Sequence, residues 1–261
     1  MDKILELLQD DKEYYKGVGR NYLSNSDIGS LLGNPKDFGK PRADNKSFAE
    51  GRYFHQLILE PEKAAETPFV DASTRTTNIY KNFCEDNNFE YVLLWKEMKE
   101  IQGLVATMKK NITFYDMIFA EGNKFEVAAF AEIQGEMWKG KADIVCDDSL
   151  IDLKTTSDIN KFKWSAKSYN YDSQCYIYQM LFGKPLVFLV IDKVTAQLGI
   201  FRPSYDFVKG GEAKVAKAIE VYRKYFGANP QDDIVNYFIN ETLLWQTKHL
   251  KKLLKITPMK S

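Results

Sequence analysis

Lys139-Gly140-Lys141-Ala142-Asp143-Ile144-Val145-Cys146-Asp147-Asp148-Ser149-Leu150-Ile151-Asp152-Leu153-Lys154-Thr155-Thr156 decides how the rest of the chain is read. Two apolar runs flank a polar Asp147-Asp148-Ser149 step, the pattern of two short strands joined by a tight turn. Side chains alternate faces along a strand, so Asp152 and Lys154 point one way while Leu153 points into the core. Folding the strands side by side brings Asp143 close to Asp152, and two carboxylates and one ammonium then share one patch. Carboxylates so placed repel unless a cation lies between them, and hard oxygen ligands suit magnesium or manganese. Asp is depleted inside strands because its short polar side chain favours turns. Small Gly140 and Ala142 leave room for a backbone or a ligand to approach. The competing reading is that both aspartates are ordinary strand-end residues.

The chain has 261 residues, 44% of them apolar and 14% aromatic, enough to bury a large core as one domain or as one domain with an appendage. Lys and Arg number 36, as do Asp and Glu. That balance disfavours a general nucleic-acid coat protein and permits a local basic groove. The three cysteines, Cys84, Cys146 and Cys175, are far apart and form no C-x-x-C. They point to a reduced, cytoplasmic protein with neither a zinc knuckle nor an iron–sulfur cluster. Met1-Asp-Lys-Ile-Leu-Glu lacks the basic-then-apolar pattern of a secretory signal, and no apolar run is long enough to span a membrane, so no membrane association is expected.

Residues 3–15 read as one amphipathic helix with Ile4, Leu5 and Leu8 on a side, and a second helix starts near Ser26 and ends at Gly33-Asn34-Pro35. A loop over 36–46 precedes Ser47-Phe48-Ala49-Glu50, which has the form of a capping box opening a helix from Phe48 to Leu59. Helical spacing recurs over 71–88, 95–109 and 111–121. The pattern changes at Lys124: Phe125–Ile133, Met137–Cys146 and Leu150–Lys154 read as a three-stranded meander. Helices follow over 158–168 and from Tyr171-Asp172-Ser173 to Phe182. The run Leu-Val-Phe-Leu-Val-Ile after Pro185 marks a buried central strand, paired with 195–201. A last helix begins after Gly210-Gly211 and runs to Phe226. The fold class is therefore mixed α/β, a central mixed sheet flanked by helices with an α-rich N-terminal part.

Gln174 and Tyr178 are four apart and share a helix face; plain amphipathic packing competes with a role in binding a phosphate or orienting Lys154. His55 lies one turn after Gly51, which opens space beside it. His249 sits in a Lys-rich tail and reads as surface. Lys161, Lys163 and Lys167 are spaced by two and four, not one clean helical face, so a solvated surface competes with contacts to a phosphate backbone.

Together these segments resemble the PD-(D/E)xK nuclease superfamily, and more narrowly the RecE-type (exodeoxyribonuclease VIII-like) phage and prophage exonucleases of the RecB-like branch. Phe48 to Pro61 looks like the family's Gly-x-x-x-His helix, Lys139 to Asp143 its first aspartate motif, Ile151 to Thr156 its Asp-x-Lys signature, and Gln174-x-x-x-Tyr178 the Gln-x-x-x-Tyr helix of the branch. The likeness spans about residues 20–230, with aspartate at 152 where many members have glutamate. It implies a restriction-endonuclease-like core over 121–230 within a single 1–261 domain, with an α-rich part over 1–120 and a C-terminal extension over 231–261. It also implies a Mg2+- or Mn2+-dependent exodeoxyribonuclease that degrades linear double-stranded DNA from its 5′ ends, leaving 3′ single strands. By the family pattern His55, Asp143, Asp152, the Leu153 carbonyl and, further, Glu126 bind metal. Lys154 positions and helps deprotonate the attacking water, and Gln174 and Tyr178 complete the catalytic set. Expected partners are DNA ends, further copies of the chain in a ring, and a single-strand annealing protein, with Lys161, Lys163, Lys167 and the 248–260 tail along the DNA path. A structure-selective endonuclease of the same fold and a non-catalytic DNA-binding module remain the alternatives.

Overall fold

The computed structural model describes residues 2–239; the basic 248–260 tail and His249 lie outside the described residues. In chain order the elements are α1 (Asp2–Gln9), α2 (Asp11–Tyr15), α3 (Asn25–Gly33), α4 (Lys46–Leu59), α5 (Pro61–Glu66), β1 (Phe69–Val70), α6 (Asn78–Asn87), β2 (Leu93–Leu94), α7 (Trp95–Lys110), α8 (Ile112–Phe119), β3 (Lys124–Ile133), β4 (Glu136–Val145), β5 (Leu150–Thr156), α9 (Phe162–Ser168), α10 (Tyr171–Phe182), β6 (Leu186–Asp192), β7 (Leu198–Phe201) and α11 (Tyr205–Tyr225). Among the described residues the main sheet has five strands in the order β3-β4-β5-β6-β7. The β3-β4-β5 meander is antiparallel, β6 lies parallel to β5, and β7 closes the other edge antiparallel to β6. This is the expected mixed sheet with helices on both faces.

Hydrophobic burial sets the layers. Every residue of β6 is buried, which accounts for its unbroken apolar run. Its side chains divide between two cores: Leu186, Phe188 and Val190 pack with residues of α3, α10 and α11, while Leu189 and Ile191 pack with residues of α4, α7 and α8. Helices α4, α7 and α8 of the N-terminal part thus lie against one face of the sheet, and α3 against the other. The short parallel pair β1–β2 forms a small satellite with α6 around Val70, Tyr80, Val92 and Leu94.

Several local expectations shift. The helix expected over 3–15 is two helices, because the Asp10 side chain accepts from Glu13 N and caps a new start. α3 begins one residue early, with Ser24 and Asp27 forming the capping box. The cap of α4 is Asn45, whose side chain accepts from Phe48 N; Ser47 is inside the helix and Glu50 instead pairs with Lys46 and Lys193. The segment expected to be helical from Asp71 becomes so only at Asn78. A 3-10 turn over Ile159–Lys161 precedes α9, and α10 is entered through Asn170 in the left-handed region at φ 59°. Gly210 and Gly211 do not start a helix. They lie within α11, where a Cβ on Gly211 would meet Asp172 O at 2.0 Å, so the glycine permits α10 and α11 to touch.

Candidate metal-binding and catalytic site

The site forms where β4 and β5 part. Their ladder pairs Val145 with Leu150 and Ile144 with Ile151, and then Asp143 takes the next position: its Oδ2 accepts from Leu153 N at 2.7 Å. Alternation along β4 breaks at the same residue, since Ala142 belongs to the core on the α10 face and Ile144 to the core on the α4 face. On the neighbouring strand Glu126 sits opposite, unpaired between Phe125 and Val127, with φ 52°. A left-handed glutamate inside a strand is strained, and this irregularity redirects its side chain toward Asp143.

α4 supplies the histidine. Phe54 and Ile58 anchor the helix in the core, and His55 Nε2 lies 2.8 Å from Leu153 O while its Nδ1 lies 3.6 Å from Asp143 Oδ1. Both ring nitrogens face oxygen acceptors, and a neutral imidazole carries one N–H, so one of the two contacts is left for a proton or a cation. His55, Glu126 and Asp143 each offer a ligand atom, all within 4.8 Å of one another. Burial pushes the Glu126 carboxyl up to about 8, with the Asp143 and Glu60 charges adding to it. Burial likewise raises Asp143, and Asp152 adds to that, against His55 and Lys154. Two carboxylates and an imidazole held this way gain from a divalent cation, and the donor set can hold one.

Asp152 stands apart from that trio. Its Oδ1 accepts from Gln174 Nε2 at 2.6 Å, and its Oδ2 lies 2.5 Å from Lys154 Nζ. The latter is a charge contact without hydrogen-bond alignment, so among the described residues buried Oδ2 has no aligned donor. Burial opposes a charged Lys154, but Asp152 outweighs it and holds the ammonium well above its ordinary pKa. Lys154 thus stands as a counter-charge to Asp152. Lys154 Nζ also lies 4.9 Å over the Tyr171 ring.

The structure brings together His55, Glu126, Asp143 and the Leu153 carbonyl on one side, and Asp152, Lys154 and Gln174 on the other. Tyr178 stands beside Gln174 at the edge of this pocket: its hydroxyl donates to Lys141 O at 2.9 Å and its ring covers Gly140. Gly140 therefore makes room for Tyr178 and Leu181, not for a ligand; an added Cβ would meet them at 2.9 and 2.8 Å. Gln174 contacts Asp152, and Lys154 is reached only through that carboxylate. Lys161 pairs with Asp158 at 3.0 Å, and Lys163 lies 4.1 Å over the Trp164 ring. Both lysines and Lys167 are exposed. Tyr171 was not anticipated, although it precedes Gln174 by three and so shares its helix face. Nor was the tethering of Lys139 and Lys141, both buried, by Tyr14 O and by Asp11 at 2.5 Å respectively. Asp11 also holds Lys63 of α5 at 2.6 Å, so one carboxylate links β4 to the helices beside the pocket. Among the described residues no helix is long and apolar enough to cross a membrane.

Residues 31–224 match the model of a family described as a PDDEXK-like domain of unknown function (DUF3799). In structure the chain is similar to a "Putative exonuclease" from Eubacterium rectale, with a TM-score of 0.57 and 18% identity over 90% of this chain and 95% of that one. It also aligns with a phage related exonuclease from Haemophilus somnus 129PT at a TM-score of 0.32 and 17% identity, over 66% of this chain and 91% of that one. The first of these shares the fold. No curated protein matches the sequence significantly.

Proposed function

The chain belongs to the family of PDDEXK-like domains DUF3799, and from that premise we propose that it is a metal-dependent deoxyribonuclease. More narrowly, we read it as an exonuclease of the RecE type, in the RecB-like branch, acting 5′→3′ on linear double-stranded DNA and leaving 3′ single strands for recombination. The observation that carries the reading is the meeting of Asp143 with His55 and Glu126 beside the Asp152–Lys154 pair, at the point where β4 and β5 separate. The amide of Gln174 on Asp152 favours the RecB-like branch over other nucleases of the fold.

Phosphodiester hydrolysis needs an activated water and compensation for negative charge that grows on the phosphorus oxygens. A divalent ion bound here, magnesium or manganese in this reading, would activate the water and offset that charge. His55, Glu126, Asp143 and the Leu153 carbonyl would hold it, with Asp152 beside them. Lys154, kept charged by Asp152, presents a fixed donor to a phosphate oxygen or to the attacking water. Gln174 fixes the carboxylate plane of Asp152, and with it the position of the ammonium. DNA ends are the substrate, a ring of identical chains threads them, and a single-strand annealing protein receives the product. In such a ring positive charge is needed only along the channel, which accommodates the zero net charge of the chain.

The test is digestion with magnesium of linear and covalently closed duplex DNA, with either the 5′ or the 3′ end labelled. Loss of 5′ label from linear DNA with closed circles intact is expected. Cutting of closed circles would favour an endonuclease, and activity unchanged in both Asp152→Ala and Lys154→Ala would overturn the assignment of the site.

A further inference from the structure

A line of aromatic rings leads from Lys154 to the surface. Tyr171 stands against Lys154, with Nζ 4.9 Å from its ring centroid, and is held in place by Phe188 at 5.4 Å and Phe162 at 5.9 Å. Tyr169 comes next, its ring 5.9 Å from that of Tyr171 and tilted 38° to it. Unlike Tyr171, Tyr169 is 66% exposed. Its backbone is fixed: it is the C-cap of α9, and the following Asn170 is in the left-handed region. Tyr169 therefore presents an open ring two ring contacts from Lys154, on a backbone fixed by the end of α9. The same segment carries Lys161, Lys163 and Lys167, and Trp164 is 62% exposed with Lys163 over its ring. Aromatic rings alternating with cations, beside a phosphate-cleaving site, match a polyanion with flat bases.

We propose that Tyr169 is a base-stacking residue: it holds a nucleobase of the strand being cut, unpaired from its complement, beside Lys154. Tyr171 acts as the rigid backing that keeps Tyr169 and Lys154 at a fixed separation. The proposal rests on the nuclease reading and adds a specificity it does not contain, namely preference for a strand whose terminal bases can leave the duplex. Stacking depends on the ring and not on the hydroxyl, so phenylalanine and tryptophan replace Tyr169 and alanine does not.

The experiment measures binding of a fluorescein-labelled single-stranded oligonucleotide and of a duplex with a frayed 5′ end, by anisotropy in EDTA, for the full chain and for Tyr169→Ala, Tyr169→Phe and Tyr169→Trp. Each is also measured on oligonucleotides with consecutive abasic sites at the 5′ end. Tyr169→Ala is expected to weaken binding about 5- to 100-fold, the range of one lost stacking contact, with Phe and Trp close to the native chain. On the abasic oligonucleotides the native chain falls to the level of Tyr169→Ala, and the substitution has no further effect. Equal binding by Tyr169→Ala and the native chain overturns the proposal, as does an equal fold-loss on abasic and normal DNA; the exposed ring would then serve some other partner. Because binding is read without metal, this outcome is separate from the nuclease reading, which fails instead if the native chain does not cleave DNA in magnesium or manganese.

Discussion

Gln174 Nε2 donates to Asp152 Oδ1 across 2.6 Å, and both side chains are buried between α10 and β5. The amide is the one aligned side-chain donor that carboxylate has among the described residues, because Lys154 reaches Oδ2 off axis. Gln174→Ala is expected to lower kcat about 10- to 100-fold with little change in KM, the usual cost of losing a group that orients a reactive carboxylate. Gln174→Glu should be at least as damaging, since it sets a second carboxylate against Asp152. Steady-state digestion of linear duplex DNA separates the two parameters; native kcat in both variants would reduce the contact to packing.

His55 bridges Leu153 O and Asp143 Oδ1 through its two ring nitrogens. The trio with Glu126 loses its one nitrogen ligand in His55→Ala. Manganese affinity, read by calorimetric titration, is expected to fall by at least about 10-fold, with the thermal midpoint of the metal-free protein shifting little because His55 is not in the core. A variant that binds manganese as the native chain does would remove His55 from the ligand set.

How far the site was legible follows from the range of each interaction. The Asp-x-Lys strand and the meander could be read because a half-buried strand imposes period two and β6 imposes an unbroken apolar run. The approach of Asp143 to β5 followed from the short turn at Asp147-Asp148, where Cys146 N donates to Ser149 O. Glu126 needed more, because the left-handed residue that aims it leaves no mark in local sequence. The buried lysines were unreadable for a different reason. Lys139 and Lys141 look like solvated residues until Tyr14 O and Asp11, 125 and 130 residues away in sequence, provide acceptors. The acceptor of the Tyr178 hydroxyl is likewise distant in sequence, the Lys141 carbonyl 37 residues away. The cap of α4 failed on degeneracy, for Asn45 and Ser47 are both competent caps and only packing chooses between them.

Glu97 gives a pH-dependent prediction. Burial alone would raise its carboxyl, but Arg75 (Nη1 at 3.0 Å from Oε1), Lys46 at 2.9 Å and the Leu94 N–H at 3.0 Å outweigh that and pull it down to about 2. A carboxyl lowered on folding contributes stability that is whole above its unfolded pKa near 4.5 and is lost as pH falls toward 2. Glu97→Gln should therefore cost about 1–3 kcal/mol near neutral pH, solvent screening of half-exposed Lys46 reducing the figure, and the gap between native and variant should shrink steadily below pH 4.5. Urea unfolding at several pH values measures it; a gap independent of pH would mean that the charge of Glu97 is not what matters.

Adjacent glycines in α11 should respond in opposite directions. A Cβ on Gly211 would meet Asp172 O at 2.0 Å and Ser173 N at 2.7 Å, backbone atoms of α10 that cannot move without carrying Asp172 and the neighbouring Gln174 with them. A Cβ on Gly210 meets only Asp172 Oδ2, at 3.8 Å, ordinary van der Waals contact. Helix propensity alone favours alanine at either position by about 0.5–1 kcal/mol. Gly210→Ala should keep that gain and raise the unfolding midpoint. Gly211→Ala forfeits it to a clash that forces α10 and α11 apart, with a net loss of about 1–3 kcal/mol as for other overpacked cores. Since α10 also carries Gln174, Gly211→Ala should lower kcat along with stability, while Gly210→Ala leaves kcat unchanged. Thermal unfolding of the two single variants beside the native chain decides it; equal shifts of the same sign would show that the α10–α11 contact is not as close as the backbone of Gly211 implies.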